Sequence, residues 1–251
     1  MDIQGKAAVI TGAGSGIGRS MARALARKGA NIIVADIDDR AGAETVDIID
    51  RDGGIAIFKH CDTRLTEDLA VSFAAALEHW QRLDIVCNNA GISERGDLFS
   101  DEGIDFRNII EINVNAVIDG TRIAVREMRR LGGGVIVNTA SMGGLLPIPN
   151  APVYAASKAA VVNFTRSLAY LGEEKIRVNA ICPTFTDTPL LRQGREDGDL
   201  QELRDMVGGI LDPDDVARGL VQLVEDDTRA GAIMRVTVRG GIDYAKEVRP
   251  Y

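Results

Sequence analysis

Tyr154 and Lys158 stand four residues apart in a stretch whose apolar spacing predicts a helix over 153–170, so they share one face. Ser141 lies just past an apolar run, 135–139, that reads as a strand. A phenol, an ammonium and a hydroxyl brought together can move a proton. A free tyrosine has a pKa of about 10, too high for a base near neutral pH. A nearby positive charge favours the phenolate and lowers that value. The phenolate could then take a proton from a hydroxyl whose oxygen Ser141 holds by a hydrogen bond. A Tyr-x-x-x-Lys pair also occurs on ordinary amphipathic helix surfaces. It carries weight here because Ser141 and a second motif accompany it.

That second motif is Thr11-Gly12-Ala13-Gly14-Ser15-Gly16-Ile17-Gly18, between the apolar run 7–10 and a helical stretch. Its spacing is Gly-x-x-x-Gly-x-Gly, through Gly12, Gly16 and Gly18. Glycines allow a sharp turn and close approach to a ligand. The helix start behind them offers free N–H groups and a positive dipole end, which suits a pyrophosphate. A glycine turn can also hold no ligand, but its place between the first strand and first helix favours a dinucleotide. Asp36 ends the second apolar run, 18 positions after Gly18. A carboxylate there can accept from both ribose hydroxyls and repels a 2′-phosphate. Ile37, Asp38 and Asp39 follow with no basic residue, and position 15 is serine; both features favour NAD over NADP. Asp36 could instead cap the next helix, although Asp38 is better placed for that.

These groups need a frame. Short apolar runs over 7–10, 31–35, 55–58, 84–87, 135–139, 177–181 and 233–238 read as strands. Amphipathic stretches over 16–28, 38–51, 66–80, 104–131, 153–170 and 213–225 read as helices. Strands separated by helices imply crossovers and a parallel sheet covered on both faces. The expectation is an α/β chain forming one doubly wound, Rossmann-type domain over 1–251, with about seven strands. In such a sheet ligands bind at the carboxyl ends of the strands, where Ser141 falls. The irregular, polar segment 183–212 is the predicted substrate flap.

Bulk properties narrow the function. The 251 residues are 45% hydrophobic and 26% charged, with a net charge of −8. An acidic chain is repelled by phosphate backbones and anionic lipid, so neither nucleic acid nor a membrane is the expected partner. Cys61, Cys87 and Cys182 are odd in number and form no Cys-x-x-Cys pair. Only His60 and His79 are present, too few for a histidine-rich metal site. No signal-peptide pattern opens the sequence and no apolar run reaches the roughly 20 residues of a membrane span. The expectation is a cytoplasmic protein acting on a small molecule.

Taken together, the Gly12–Gly18 turn, Asn88-Asn89-Ala90-Gly91, Ser141 and the Tyr154-Ala155-Ala156-Ser157-Lys158 box resemble the short-chain dehydrogenase/reductase family along essentially the whole chain. The resemblance implies an NAD-dependent alcohol dehydrogenase in which Tyr154 is the base, aided by Lys158 and Ser141, with the nicotinamide's charge also favouring the phenolate. Asn113 then holds a water that links Lys158 to solvent, whereas its neighbour Asn115 does not. Asp62 lies at the adenine ring, Asn89, Ala90 and Gly91 border the adenine ribose, and Thr188 contacts the carboxamide. Tyr154 and Lys158 also touch the cofactor. Asn113 could otherwise be a capping residue, and Thr188 a turn residue before Pro189. The family usually has Pro-Gly after the sixth strand. Pro183-Thr184 stands here, and threonine adopts positive φ only at a cost. Homodimers or homotetramers through the helices over 104–131 and 153–170 are implied as well.

The C-terminal part, with 210–213, 224–227 and 231–234, is similar to NAD-dependent hydroxyprostaglandin dehydrogenases. Those enzymes carry a substrate-contacting glutamine three residues before the tyrosine, where this chain has Ala151. Loss of that amide argues against prostaglandin itself. Leu145-Leu146-Pro147-Ile148-Pro149 and Phe185 are either an apolar pocket wall or ordinary core. The expected substrate is a hydrophobic hydroxy compound. A ketone reductase of the same fold and a catalytically silent cofactor-binding protein are the alternatives. Asp36 argues against the first, and the intact catalytic set against the second.

Overall fold

A computed structural model describes residues 1–94, 96–100, 103–193 and 195–246. Eight strands form one sheet in the order β3-β2-β1-β4-β5-β6-β7-β8. They are β1 (Ala7–Thr11), β2 (Asn31–Asp36), β3 (Ile55–His60), β4 (Ile85–Asn88), β5 (Gly134–Thr139), β6 (Ile176–Pro183), β7 (Ile233–Thr237) and β8 (Gly241–Tyr244). The first seven pair in parallel. The expected strands are all present, mostly with ends moved by a residue or two.

β8 adds an antiparallel edge that the pattern did not predict. It is four residues of mixed polarity, joined to β7 by a tight turn ending at Gly241 with φ of 67°. So short a strand has no periodicity to read.

Both faces of the sheet are covered, which is why the central strands are apolar without a break. Alternate residues serve opposite layers. Ala8 and Ile10 join Met21, Leu25, Leu220 and Leu223 from α1 (Gly16–Arg27) and α9 (Pro213–Glu225). Ala7 and Val9 join Leu69, Phe73, Ala124 and Met128 from α3 (Thr66–Trp80) and α5 (Ala116–Leu131). α2 (Asp39–Arg51) follows β2 and is capped by Asp38, which accepts from the Ala41 N–H.

The single helix expected over 104–131 is not one helix. α4 (Phe106–Ile110) runs into a π-helical turn, Glu111–Asn115, before α5 begins. One extra residue there buries Asn113 completely and leaves Asn115 on the surface, bonded to Glu111. Such bulges are frequent at functional sites. α6 (Pro152–Ser167) carries Tyr154 and Lys158 and ends in a 3₁₀ turn, Ala169–Glu174.

The segment 183–212 is more ordered than expected, containing α7 (Pro189–Arg192) and α8 (Asp197–Val207); Gly194 lies outside the described residues. Its base is pinched shut. Asp187 N–H donates to the Leu211 carbonyl, and Leu211 N–H to that of Phe185, both at 2.9 Å. Among the described residues, no helix is long and apolar enough to cross a membrane.

Candidate active site

The strand order reverses direction between β1 and β4, so the crevice for a ligand lies at their carboxyl ends. Gly12 and Gly16 turn the chain there with φ of 64° and 49°. A Cβ on Gly18 would collide with the Gly12 carbonyl oxygen, so α1 can start this close to β1 only with glycine. Ser15 is the N-cap of α1, yet its side chain makes no capping bond, and no acidic residue occupies the first turn. The positive helix end, with Ile17 behind it, is therefore available to an anion.

Arg19 supports the turn from behind. Its Nε donates to the Gly14 carbonyl at 2.9 Å and to Thr45 Oγ1 at 3.0 Å, and its guanidinium pairs with Glu44. The Asp36 carboxylate accepts from the N–H of Gly14 at 2.7 Å and of Asp38 at 2.9 Å. No cation stands against it among the described ion pairs. A dinucleotide with a free ribose diol fits this set.

Asn89 ties three strands together. Its amide donates to the Thr11 carbonyl at 3.0 Å, and its oxygen accepts from Thr139 Oγ1 at 3.1 Å. Thr11 Oγ1 in turn accepts from the N–H of Asn89 and of Ala90. Asp62 follows β3, and the Arg64 guanidinium on its carboxylate holds it below the usual range against its burial. Thr188 caps α7, accepting from Leu191 N–H at 3.3 Å. Its methyl also lies where a side chain on Gly16 would sit, so it flanks the glycine turn. Thr184 avoids positive φ. Its N–H donates to the Val236 carbonyl, so the chain here simply continues the β6–β7 ladder.

The candidate proton-handling groups gather beyond β4 and β5. Lys158 is buried and donates to the Thr139 carbonyl at 2.8 Å. No carboxylate pairs with it among the described residues. Its Nζ lies 5.8 Å from the centre of the Tyr154 ring. Burial lowers its pKa to about 8. At Tyr154 burial also dominates and pushes the phenol up, while a hydrogen bond with Ser141 acts in the opposite direction. Gly91 separates Asn113 from Lys158. A Cβ there would be 3.2 Å from Asn113 Oδ1 and 3.3 Å from Lys158 Nζ. Cys182 lies against the same groups, but burial pushes its thiol up to about 12, so it stays protonated.

The structure thus brings together Asn113, Ser141, Tyr154 and Lys158 beside the Gly12–Gly18 turn and Asp36. Asp62 and Thr188 stand at its margins. Residues that the motifs did not single out hold this set in place. Ser157 Oγ donates to the Tyr154 carbonyl at 2.7 Å and accepts from Asn113 Nδ2 at 3.0 Å. Glu94 accepts the Tyr154 N–H at 2.7 Å. Ser157 was findable from its place inside the Tyr–Lys box. Glu94 was not, because 60 positions separate it from its partner. Phe185 and Leu146, at 39% and 59% exposure, are not core residues; Leu145 packs partly into a small apolar cluster near α6.

A model of the short chain dehydrogenase family matches residues 6–199. The chain is 36% identical to 15-hydroxyprostaglandin dehydrogenase [NAD(+)] of Bos taurus, covering 97% of this chain and 95% of the other. It is likewise 36% identical to cyclohexanol dehydrogenase of Acinetobacter sp. (strain SE19), covering 88% of each. Among solved structures, the 3-ketoacyl-(acyl-carrier-protein) reductase of Brucella melitensis, complexed with NADH, superposes with a TM-score of 0.85 at 33% identity. That match covers 94% of this chain and 98% of the other.

Proposed function

This chain belongs to the short-chain dehydrogenase family, and from that premise we propose that it oxidises a secondary alcohol to a ketone with Tyr154 as general base. It is an NAD-dependent oxidoreductase acting on CH–OH. The observation that carries the catalytic reading is the meeting of Ser141, Tyr154, Lys158 and Asn113 at the carboxyl ends of β4 and β5, beside the glycine turn.

The protein's own groups leave the phenol too weakly acidic for a base near neutral pH, since burial outweighs Ser141. An oxidised nicotinamide bound here supplies the hydride acceptor and a positive charge that favours the phenolate. Ser141 donates a hydrogen bond to the substrate oxygen and orients the carbinol. Tyr154 Oη takes the hydroxyl proton as the C–H bond breaks. Lys158 stabilises the phenolate through space, its ammonium held by a carbonyl dipole rather than a counter-ion. Asn113 anchors the loop over Lys158 and, by the family likeness, holds the water that carries the proton outward. Asp36 selects NAD, and Asp62, Asn89 and Thr188 border the bound dinucleotide.

The substrate in this reading is a hydrophobic hydroxy compound. Exposed Leu146, Phe185 and Leu190 offer apolar surface that the core does not use. The segment 183–212 acts as a flap whose pinched base confines motion to α7 and α8. A groove between α5 and α6, lined by Ile118, Phe164 and Tyr170 among others, suits assembly into homodimers or homotetramers.

A panel of secondary alcohols, followed by NADH absorbance, tests the proposal. Tyr154→Phe is expected to lower turnover by about a thousandfold, within the usual range for acid–base groups, while NAD still binds. Turnover equal to that of the unaltered enzyme would remove Tyr154 from the mechanism.

A further inference from the structure

We propose that Glu94 is a positioning residue for Tyr154, through a hydrogen bond to its main chain. The inference rests on the reading of Tyr154 as base. Glu94 is half-buried in the loop that follows β4, and its Oε2 accepts the Tyr154 N–H at 2.7 Å. Tyr154 is the third residue of α6, where an N–H has no acceptor within the helix. The N-cap residue cannot supply one, because it is Ala151 and makes no capping bond. The acceptor comes from across the site instead. A carboxylate also matches the positive end of the helix.

The Tyr154 carbonyl is held from the same loop by a longer route. Ile92 N–H donates to Asn113 Oδ1, and Asn113 Nδ2 donates to the Ile92 carbonyl, both at 2.9 Å. That amide also donates to Ser157 Oγ, which donates to the Tyr154 carbonyl. The peptide units on both sides of Tyr154 are thus fixed by residues 92–94, one directly and one through Asn113 and Ser157. The first turn of a helix ordinarily frays. Here it carries the phenol that must meet Ser141, so freedom in the main chain becomes error at the reacting oxygen.

The alternative is that Glu94 only caps α6. A cap lost from a helix lowers melting temperature without changing the rate of the molecules that remain folded. The test therefore uses NAD-loaded enzyme and a secondary alcohol it turns over, well below the melting transition. Kinetic constants, NAD affinity and melting temperature are measured for Glu94→Ala and Glu94→Gln. Glutamine keeps an acceptor oxygen and loses the charge.

For Glu94→Ala the expected result is a fall in kcat of roughly tenfold to a hundredfold, as for a reacting group displaced by about 1 Å. NAD affinity should stay within about twofold, since the lost contact lies away from the dinucleotide turn. Glu94→Gln should recover most of kcat. The proposal is overturned if Glu94→Ala keeps its kcat, if Glu94→Gln loses as much as Glu94→Ala, or if NAD affinity falls in step with kcat. Tyr154→Phe is measured alongside. If it turns over normally, the reading of Tyr154 itself fails; if it is inactive while Glu94→Ala is fully active, only the role of Glu94 fails.

Discussion

Opposite ends of one sheet each bury a cation, and they hold it differently. At the amino end of β6, Arg177 donates to the carbonyls of Leu223 and Val224 at 2.9 and 2.7 Å and lies 3.3 Å from Asp227. At the carboxyl end of β5, Lys158 has one carbonyl, Thr139, and no carboxylate among the described ion pairs. Burial lowers the pKa of both.

The carboxylates repeat the contrast. Asp84, at the amino end of β4, has Arg82 at 2.6 Å and Lys6 at 3.7 Å. Asp36, at the carboxyl end of β2, has two N–H groups. A counter-ion cancels a charge's field, whereas a dipole holds the charge and leaves much of its field for a ligand. Arg177 and Asp84 fasten helices and strands together, whereas in the proposed function the charges of Lys158 and Asp36 act on a ligand. Asp62, covered by Arg64, and Asp187, covered by Arg192 and Arg204, depart from this pattern beyond the carboxyl ends.

Lys158→Met tests the contrast most strongly. Turnover should fall by about a hundredfold or more, the usual scale for acid–base machinery. Stability should move the other way. The native pKa is about 8 against 10.5 for a free lysine, so the unfolded chain binds the extra proton more readily between those values. The cost of the buried ammonium is therefore fully present below about pH 8 and is relieved as pH rises towards 10.5. Removing it should stabilise the protein by up to about 3 kcal/mol at neutral pH, less whatever the lost bond to Thr139 contributes. Urea unfolding from pH 7 to 10 should show that advantage shrinking. A variant destabilised throughout would mean that Lys158 is held as firmly as Arg177.

Arg177→Met is the opposite case. It takes the charged donor from the Leu223 carbonyl and leaves the Val224 carbonyl with only the Met1 ammonium at 3.1 Å, at a cost of about 1 to 3 kcal/mol. The kcat of the folded enzyme should be unchanged. A lower kcat with unaltered stability would erase the distinction between the two ends.

The sequence showed this division unevenly. The central strands were legible because burial on both faces makes them continuously apolar, and Gly12–Gly18, Asp36, Ser141 and the Tyr154–Lys158 box because their spacing is local. The π-helical turn at Glu111–Asn115 was hidden, since one extra residue barely alters helical periodicity. α8 was hidden because Asp197–Val207 is mostly polar and exposed, with only Leu200 buried. Glu94 was hidden because its meaning lies in a contact the fold creates. The carboxyl end thus announced its candidate reactive side chains but not the groups that hold them, which act through main-chain atoms common to every residue.

Asp36 gives the smallest effect and the finest test, because its carboxylate has two tasks. It holds the glycine turn through the Gly14 N–H, and in the proposed complex it accepts from the ribose hydroxyls. Asp36→Ala should weaken NAD binding by about tenfold, the scale of one charge-assisted hydrogen bond. NADP binding should hold steady or improve, because a negative charge facing the 2′-phosphate is gone. Isothermal titration of both cofactors separates the tasks. If the two affinities fall together, Asp36 only shapes the turn and belongs with Asp84 among the fastening charges. If only the gap between them narrows, its field was directed at the ligand, as a charge held by dipoles alone allows.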